Sequence, residues 1–478
     1  MRKYPDIRFY IGGEWRDGSN HVPILNPATE HEIGRFPIAA TADLDDALTA
    51  AREGLRVWSA TAPRDRCEMI MAAAALMRSR IDEIAASITL EHGKPFEQAR
   101  MEVIRGCEFF EWDAAEAQRL YGRIVPSAPG ITYSVRREPA GVVAAFTPWN
   151  FPMSQPARKI AGALAAGCSV IIKPSEETPA GTVHIVQAFH DVGLPPGVLN
   201  MVFGIPDAIS SYLIPKKDVR LVAFTGSTEV GKHLTGLAAR SMTPVLMELG
   251  GHAPVIVCDD VDPVAAGTSS AMRKARNAGQ VCTSPTRFFV QRSIYNAFTD
   301  AFAERAGKVL VGDGFDPATE MGPLANGRRI TALEEMVADA RQRGARILTG
   351  GDRIGDRGYF FPVTVLADLA DDALAMNTEP FGPLAIINPF DSLDEAIERA
   401  NQLPFGLSAY GFTHSAANAE RIISGLESGT VSINTLEASV AEVPFGGVKD
   451  SGYGREGGSE GLDNYTTVKT VSHSMQLR

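Results

Sequence analysis

With 478 residues the chain is too long for a single core, so two or three domains are expected. Its 46 basic and 57 acidic residues leave a formal charge of -11, which disfavours a nucleic-acid partner. Five cysteines (Cys67, Cys107, Cys168, Cys258, Cys282), never in a CxxC pair, exclude a disulfide framework and the usual zinc spacings, and suit a reducing cytoplasm.

The N-terminal MRKYPDIRFYIGGEW has charges but no apolar signal region, and RFYIGGEW reads as a short β start. DDALTAAREGLRVWSA (45–60) and CEMIMAAAALMRSRIDEIAASI (67–88) then carry apolar residues at helical spacing, until HGKP (92–95) breaks the pattern. From Gly141 short apolar runs alternate with helical segments. GVVAAFTP, CSVIIKP, GVLNMVFG and VRLVAFTG read as strands, with helices over QPARKIAGALAAG and STEVGKHLTGLAARS between them. Another helix is expected to open at Thr178-Pro179, with the threonine as N-cap. The longest apolar stretch, from Ile160 to Ile172, is closed by Lys159 and Lys173 and falls well short of the roughly 20 residues of a membrane span. A second alternating series from about Val255 to Phe445 includes the strands PVIVC, TRFFVQ and LAIINPF. Such alternation predicts an α/β fold with parallel sheets and crossover helices. The tail NYTTVKTVSHSMQLR is polar and β-prone, and needs a partner strand from its own chain or from a neighbouring subunit.

Five short stretches can carry chemistry. FTGSTEVG (224–231) sets Gly226 between a strand and a helix, where a backbone can approach a phosphate, although a plain tight turn has the same glycines. In KPSEETP (173–179), Lys173 and Glu176 project from the carboxyl end of a strand, where open α/β sheets bind nucleotides. A carboxylate there can hold a ribose diol and repels a 2′-phosphate, which favours NAD over NADP; a solvated turn is the bland reading. Glu248 of MELGGHAP lies in an apolar run, where burial raises a carboxyl's pKa into the range of a general base. Asn150, in the proline-stiffened FTPWNFP (146–152), offers an amide to an oxyanion, or simply satisfies its own turn. Cys282 of NAGQVCTSPTR reads as a loop thiol open to a substrate, or as a small hydrophobe.

Taken in order, PWNFP, KPSE, FTGSTEVG, ELGG, GQVC, EPFGP (379–383) and PFGG (444–447) make the chain resemble the aldehyde dehydrogenase superfamily of the hydrolytic, NAD(P)-dependent kind, over nearly its whole length. The resemblance implies an α/β aldehyde dehydrogenase-like fold. It divides the chain into a discontinuous Rossmann-like NAD-binding domain (1–120 and 139–248), a catalytic domain (249–447) and bridging segments (121–138 and 448–478) that assemble homodimers or homotetramers. It makes Cys282 the nucleophile, Asn150 the oxyanion donor and Glu248 the base that activates water, with Lys159 kept close by. Lys173 and Glu176 then contact the adenosine ribose, Gly226 and Ser227 the pyrophosphate, Trp149 the nicotinamide, and Glu379 and Phe381 its ribose.

Arg158 and Arg276 sit where the succinate-semialdehyde branch keeps arginines for a substrate carboxylate, and two guanidiniums make a good carboxylate clamp. A semialdehyde such as succinic semialdehyde is therefore the expected substrate. A broad-specificity or lactaldehyde-type enzyme stands as the alternative, and the presence of Glu248 argues against a CoA-acylating one. The chain departs from the semialdehyde pattern at Thr283-Ser284-Pro285, at His252 and in ASVAEV before PFGG. Those departures spare the catalytic set and fall on the specificity pocket.

Overall fold

The computed structural model describes residues 4–475. An eight-stranded sheet runs in the order Glu14–Arg16, Phe9–Ile11, Leu199–Met201, Ser169–Lys173, Val142–Phe146, Val219–Thr225, Val245–Glu248, Gly452–Tyr453. The five strands from Leu199–Met201 to Val245–Glu248 are mutually parallel, and the chain's two ends add antiparallel edges. VVAAF and SVIIK are buried at every residue, because helices cover both faces of the sheet. Strand order reverses between Val142–Phe146 and Val219–Thr225, so a cleft opens beyond their carboxyl ends. The loops that leave those two strands are TPWNF and GST.

A seven-stranded sheet follows, with Ala253–Val257 between Pro285–Gln291 and Ser408–Phe412, all three parallel. Each large sheet has its own apolar core. The first runs from Ile7 to Leu249 and takes in Ala441, Leu462 and Tyr465 from the C-terminal stretch; the second runs from Ala253 to Ala438. The tail finds its partner in its own chain. Thr466–Ser474 pairs antiparallel with Ile131–Pro139, which also pairs with Arg123–Val125, in a separate three-stranded sheet. The same C-terminal stretch lends Gly452–Tyr453 to the first sheet, so it serves more than the small one.

Two local expectations are corrected. The apolar stretch 67–88 is not one helix: Pro63–Ser79 and Ile81–His92 meet at Arg80, which leaves helical angles (φ −106°, ψ 18°) and pairs with Asp191 at 2.7 Å. Thr178 does not cap the helix Ala180–Asp191, because its hydroxyl donates to the Trp149 carbonyl at 3.1 Å. The cap comes from far away in sequence. The buried Glu91 carboxylate accepts from the Ala180 and Gly181 N–H groups at 2.9 and 3.3 Å.

Candidate active site

The helix Pro263–Ala275 ends in a tight turn where Asn277, Ala278 and Gly279 all take positive φ (53°, 52° and 67°). A side chain at Gly279 would strike the Gly382 carbonyl, its Cβ lying 2.1 Å from that oxygen, so the loop bearing the thiol packs backbone to backbone against EPFGP. Hydrogen bonds hold the turn on several sides. The Asn277 N–H donates to Gln98 Oε1 at 2.9 Å, Ala325 N–H donates to Gln280 Oε1 at 2.9 Å, and Tyr410 Oη donates to the Thr283 carbonyl at 2.7 Å. Cys282 rides on this braced loop and is partly exposed.

Two cavities meet at Cys282. One is bordered by Trp149, Asn150, Gly226, Ser227, Glu379 and Phe381. The other is bordered by Arg158, Arg276, Ser439, Phe109 and Phe445. Burial, followed by the charges of Glu379 and Glu248, pushes the Cys282 thiol up to about 12, with Arg158 opposing. The thiol therefore carries its proton at neutral pH, and attack by its sulfur requires a base.

Asn150 is 2 % exposed, and its Nδ2 donates to the Gln280 carbonyl at 3.1 Å, which aims the amide at the thiol loop. Its own carbonyl accepts from Asn277 Nδ2 at 3.0 Å and from Lys94 Nζ at 2.9 Å. Lys94 pairs with Glu102 at 2.5 Å, and Glu102 accepts from the N–H groups of Met153 and Ser154 at 2.8 and 3.2 Å. That buried pair clamps both ends of the WNFPM loop. By local pattern HGKP is only a helix break, and Lys94 within it carries no mark of this role. A signal was present, because Glu102 falls on the buried stripe Ala99, Val103, Gly106 of its helix.

Glu248 ends its strand at the cleft, and its backbone carbonyl accepts from Gly226 N–H at 3.0 Å. Its carboxyl group is buried, has no hydrogen-bond partner on either oxygen among the described residues, and lines neither cavity. It is held well above the usual carboxylate range by burial and then by the Glu456 charge, against Lys159, Arg158 and Arg455. Lys159 is fully buried and pairs with Glu456 at 2.5 Å, so it stands behind Glu248 rather than in a cavity wall.

The expected cofactor residues also converge. Lys173 forms an ion pair with Glu176, and Glu176 borders a further cavity with Ser175, Gly204 and Pro206. Trp149 lines both that cavity and the one reaching Cys282, and its ring meets Phe381 edge-on at 5.3 Å. Ser227 caps the helix Thr228–Ala239. The Glu379 carboxyl accepts from Gly251 N–H at 3.2 Å, and burial raises it to about 7.

The two arginines differ. The Arg158 guanidinium lies over Phe109 (3.8 Å to the ring centroid) and gives Nη2 to Ser439 at 2.5 Å, while its buried Nη1 has no hydrogen-bond partner among the described residues. Arg276 makes no hydrogen bond or ion pair among the described residues, and burial with Arg273 and Arg105 nearby lowers it to about 10. Two cationic donors in one cavity wall are thus unspent.

Residues 15–471 match the model of the aldehyde dehydrogenase family. The 4-(hydroxymethyl)benzenesulfonate dehydrogenase TsaD1 of Comamonas testosteroni is 43% identical over 97% of both chains. A succinate semialdehyde dehydrogenase of Acinetobacter baylyi is 38% identical over 96% of each. Betaine aldehyde dehydrogenase of Staphylococcus aureus, solved in complex with NAD+, superposes with a TM-score of 0.95 at 34% identity, covering 98% of this chain and 96% of its own.

Proposed function

The chain belongs to the aldehyde dehydrogenase family, oxidoreductases acting on aldehydes, and from that premise we propose that it oxidises an aldehyde carrying a remote anion to the carboxylic acid, with NAD+ as acceptor. One observation carries the reading. The Cys282 thiol joins a cleft at the strand-order switch to a cavity whose wall holds two unspent guanidinium donors.

The cleft suits a dinucleotide. Two cavities that share Trp149 as a wall line up from Glu176 to Gly226, Ser227, Glu379 and Cys282, beyond the carboxyl ends of parallel strands. Lys173 and Glu176 would hold the adenosine ribose, Gly226 and Ser227 the pyrophosphate, and Glu379 and Phe381 the second ribose against Trp149. Glu176 at that place favours NAD over NADP by like-charge repulsion of a 2′-phosphate. Bound there, the nicotinamide supplies the hydride acceptor.

The chain's own residues do the rest. The Cys282 sulfur bonds to the carbonyl carbon as its proton leaves to a base. The oxygen then carries negative charge and accepts from the Asn150 amide and the Cys282 N–H, donors worth roughly 2.7–4 kcal/mol each when aligned. Loss of hydride leaves a thioester. Glu248, as the carboxylate and turned toward the thiol, takes a proton from water as the water oxygen attacks. The C–S bond breaks, releasing the acid and the thiolate. At the far end of the substrate, Arg158 Nη1 and Arg276 receive a carboxylate or a sulfonate, which present the same acceptor oxygens.

We further propose a homodimer or homotetramer assembled through the small sheet, where Ile124 is 76% and Val468 63% exposed. The three-part domain division is our reading too, supported by the two separate apolar cores. Five free cysteines suit a reducing cytoplasm.

The test compares kcat/KM with NAD+ for succinic semialdehyde and for butanal, an uncharged aldehyde of equal carbon count, in the wild type and in Arg276→Ala. The expected result is a preference for the acid aldehyde that falls about tenfold or more in the variant, in keeping with one charged hydrogen bond. Equal rates, untouched by the substitution, would refute the anionic-substrate reading and leave a general aldehyde dehydrogenase. NADH formation that required added CoA would refute hydrolysis.

A further inference from the structure

At the outer edge of the substrate cavity, Glu437 stands between two helices that belong to different cores. Its Oε1 accepts from Arg273 Nη1 at 2.8 Å, and its Oε2 from Arg105 Nη2 at 3.3 Å. Arg105 comes from the helix Phe96–Ala117 and Arg273 from the helix Pro263–Ala275. Arg276, at the end of the latter helix, lines the same rim without an ion-pair partner among the described residues. Two guanidiniums thus share one carboxylate, and the unpaired Arg276 lies within reach of its charge.

That carboxylate is the polypeptide's own and does not depend on substrate. Its backbone is held in place, the Glu437 N–H donating to Thr435 Oγ1 at 3.2 Å and its carbonyl accepting from Ser432 Oγ at 2.8 Å. Two residues on, Ser439 binds the deeper Arg158. One short loop therefore sets the charge at the rim and the donor geometry inside. The Glu437 side chain is 49% exposed, so its ion pairs can exchange for others at small cost.

We propose that Glu437 is a specificity-determining residue: a built-in carboxylate that competes with the substrate's own carboxylate or sulfonate for the guanidiniums of Arg105, Arg273 and Arg276. It sets how strongly an anionic aldehyde is preferred, and its neutralisation strengthens that preference. The proposal rests on the reading of the substrate as an anionic aldehyde.

The experiment measures kcat and KM for succinic semialdehyde and butanal, each at low and high salt, in the wild type, Glu437→Gln and Glu437→Asp. In Glu437→Gln the ratio of kcat/KM for succinic semialdehyde to that for butanal rises about three- to tenfold. The gain lies in a lower KM for the acid aldehyde and shrinks at high salt, whereas Glu437→Asp restores the wild-type ratio. A ratio that stays constant or falls in Glu437→Gln overturns the proposal, because Glu437 would then only support the arginines. A wild type without preference, combined with a Gln variant that acquires one, refutes the anionic-substrate reading and upholds the role of Glu437. A wild-type preference unchanged by Glu437→Gln does the reverse.

Discussion

Burial is the first cause that raises both the Cys282 thiol and the Glu248 carboxyl, and each must be without its proton to act in the proposed chemistry. A base acts only when deprotonated, so raising its pKa moves the rising limb of activity upward in pH. With saturating NAD+, kcat is therefore expected to rise with pH and to do so later than an ordinary carboxylate base would allow. Glu248→Gln is expected to lower kcat by about 10²- to 10⁴-fold, the usual contribution of a positioned base. Stopped-flow and steady-state profiles of NADH formation check both points, and a kcat that falls as the pH is raised would count against Glu248 as the base. At this scale the sequence was informative about residue type and less so about state. Glu248 was legible as an acid in an apolar run. Its distance from both cavity walls, and the Lys159–Glu456 pair behind it, were not.

Elements position these groups through contacts that no local pattern announces. Residues Glu91 to Lys94 end one helix and start none, yet they brace both sides of the cleft. Glu91 caps Ala180–Asp191, the buried His92 ring lies 6.2 Å from that of Trp149, and Lys94 reaches the Asn150 carbonyl. Gly93, at φ 85°, makes the left-handed turn that redirects the chain between them. Thr178 looked like a cap because capping preference is local, but a buried carboxylate satisfies the same N–H groups from a distance. If Lys94 positions Asn150, then Lys94→Met should lower kcat about tenfold or more. Breaking a buried ion pair from one side costs about 3–5 kcal/mol, so this variant should also melt earlier. The double variant Lys94→Met/Glu102→Gln removes both charges and should regain much of the Tm while kcat stays low. Recovery of kcat together with Tm would reduce the pair to a purely structural role.

On the scale of the whole molecule, the C-terminal stretch ties the first sheet and its core to the small sheet. Gly452–Tyr453 edges the first sheet, Tyr465 is buried in the first core, and Thr466–Ser474 completes the small sheet. That sheet leaves Ile124, Tyr133 and Val468 exposed, an apolar set that a second subunit would cover. Val468→Lys should therefore shift the solution mass toward the 51.2 kDa protomer in light scattering. The Tm should change little at low protein concentration, because the side chain is 63% exposed in the protomer. A mass identical to the wild type would remove the small sheet from the assembly.

The sequence by itself determined the alternation of strands and helices, the parallel sheets that follow from it, and the ordered motifs that mark the family. These are local or periodic features, written in neighbouring residues and in the handedness of the chain. Only the tertiary structure decided that Lys94 and Glu102 clamp the loop of Asn150, that Glu91 replaces Thr178 as a helix cap, and that Glu437 holds two helices across the substrate rim. In each, a charged side chain finds its partner outside its own local sequence pattern. Burial and distance, which no stretch of sequence contains, determine which charge finds which partner and which, like Arg276, is left without one.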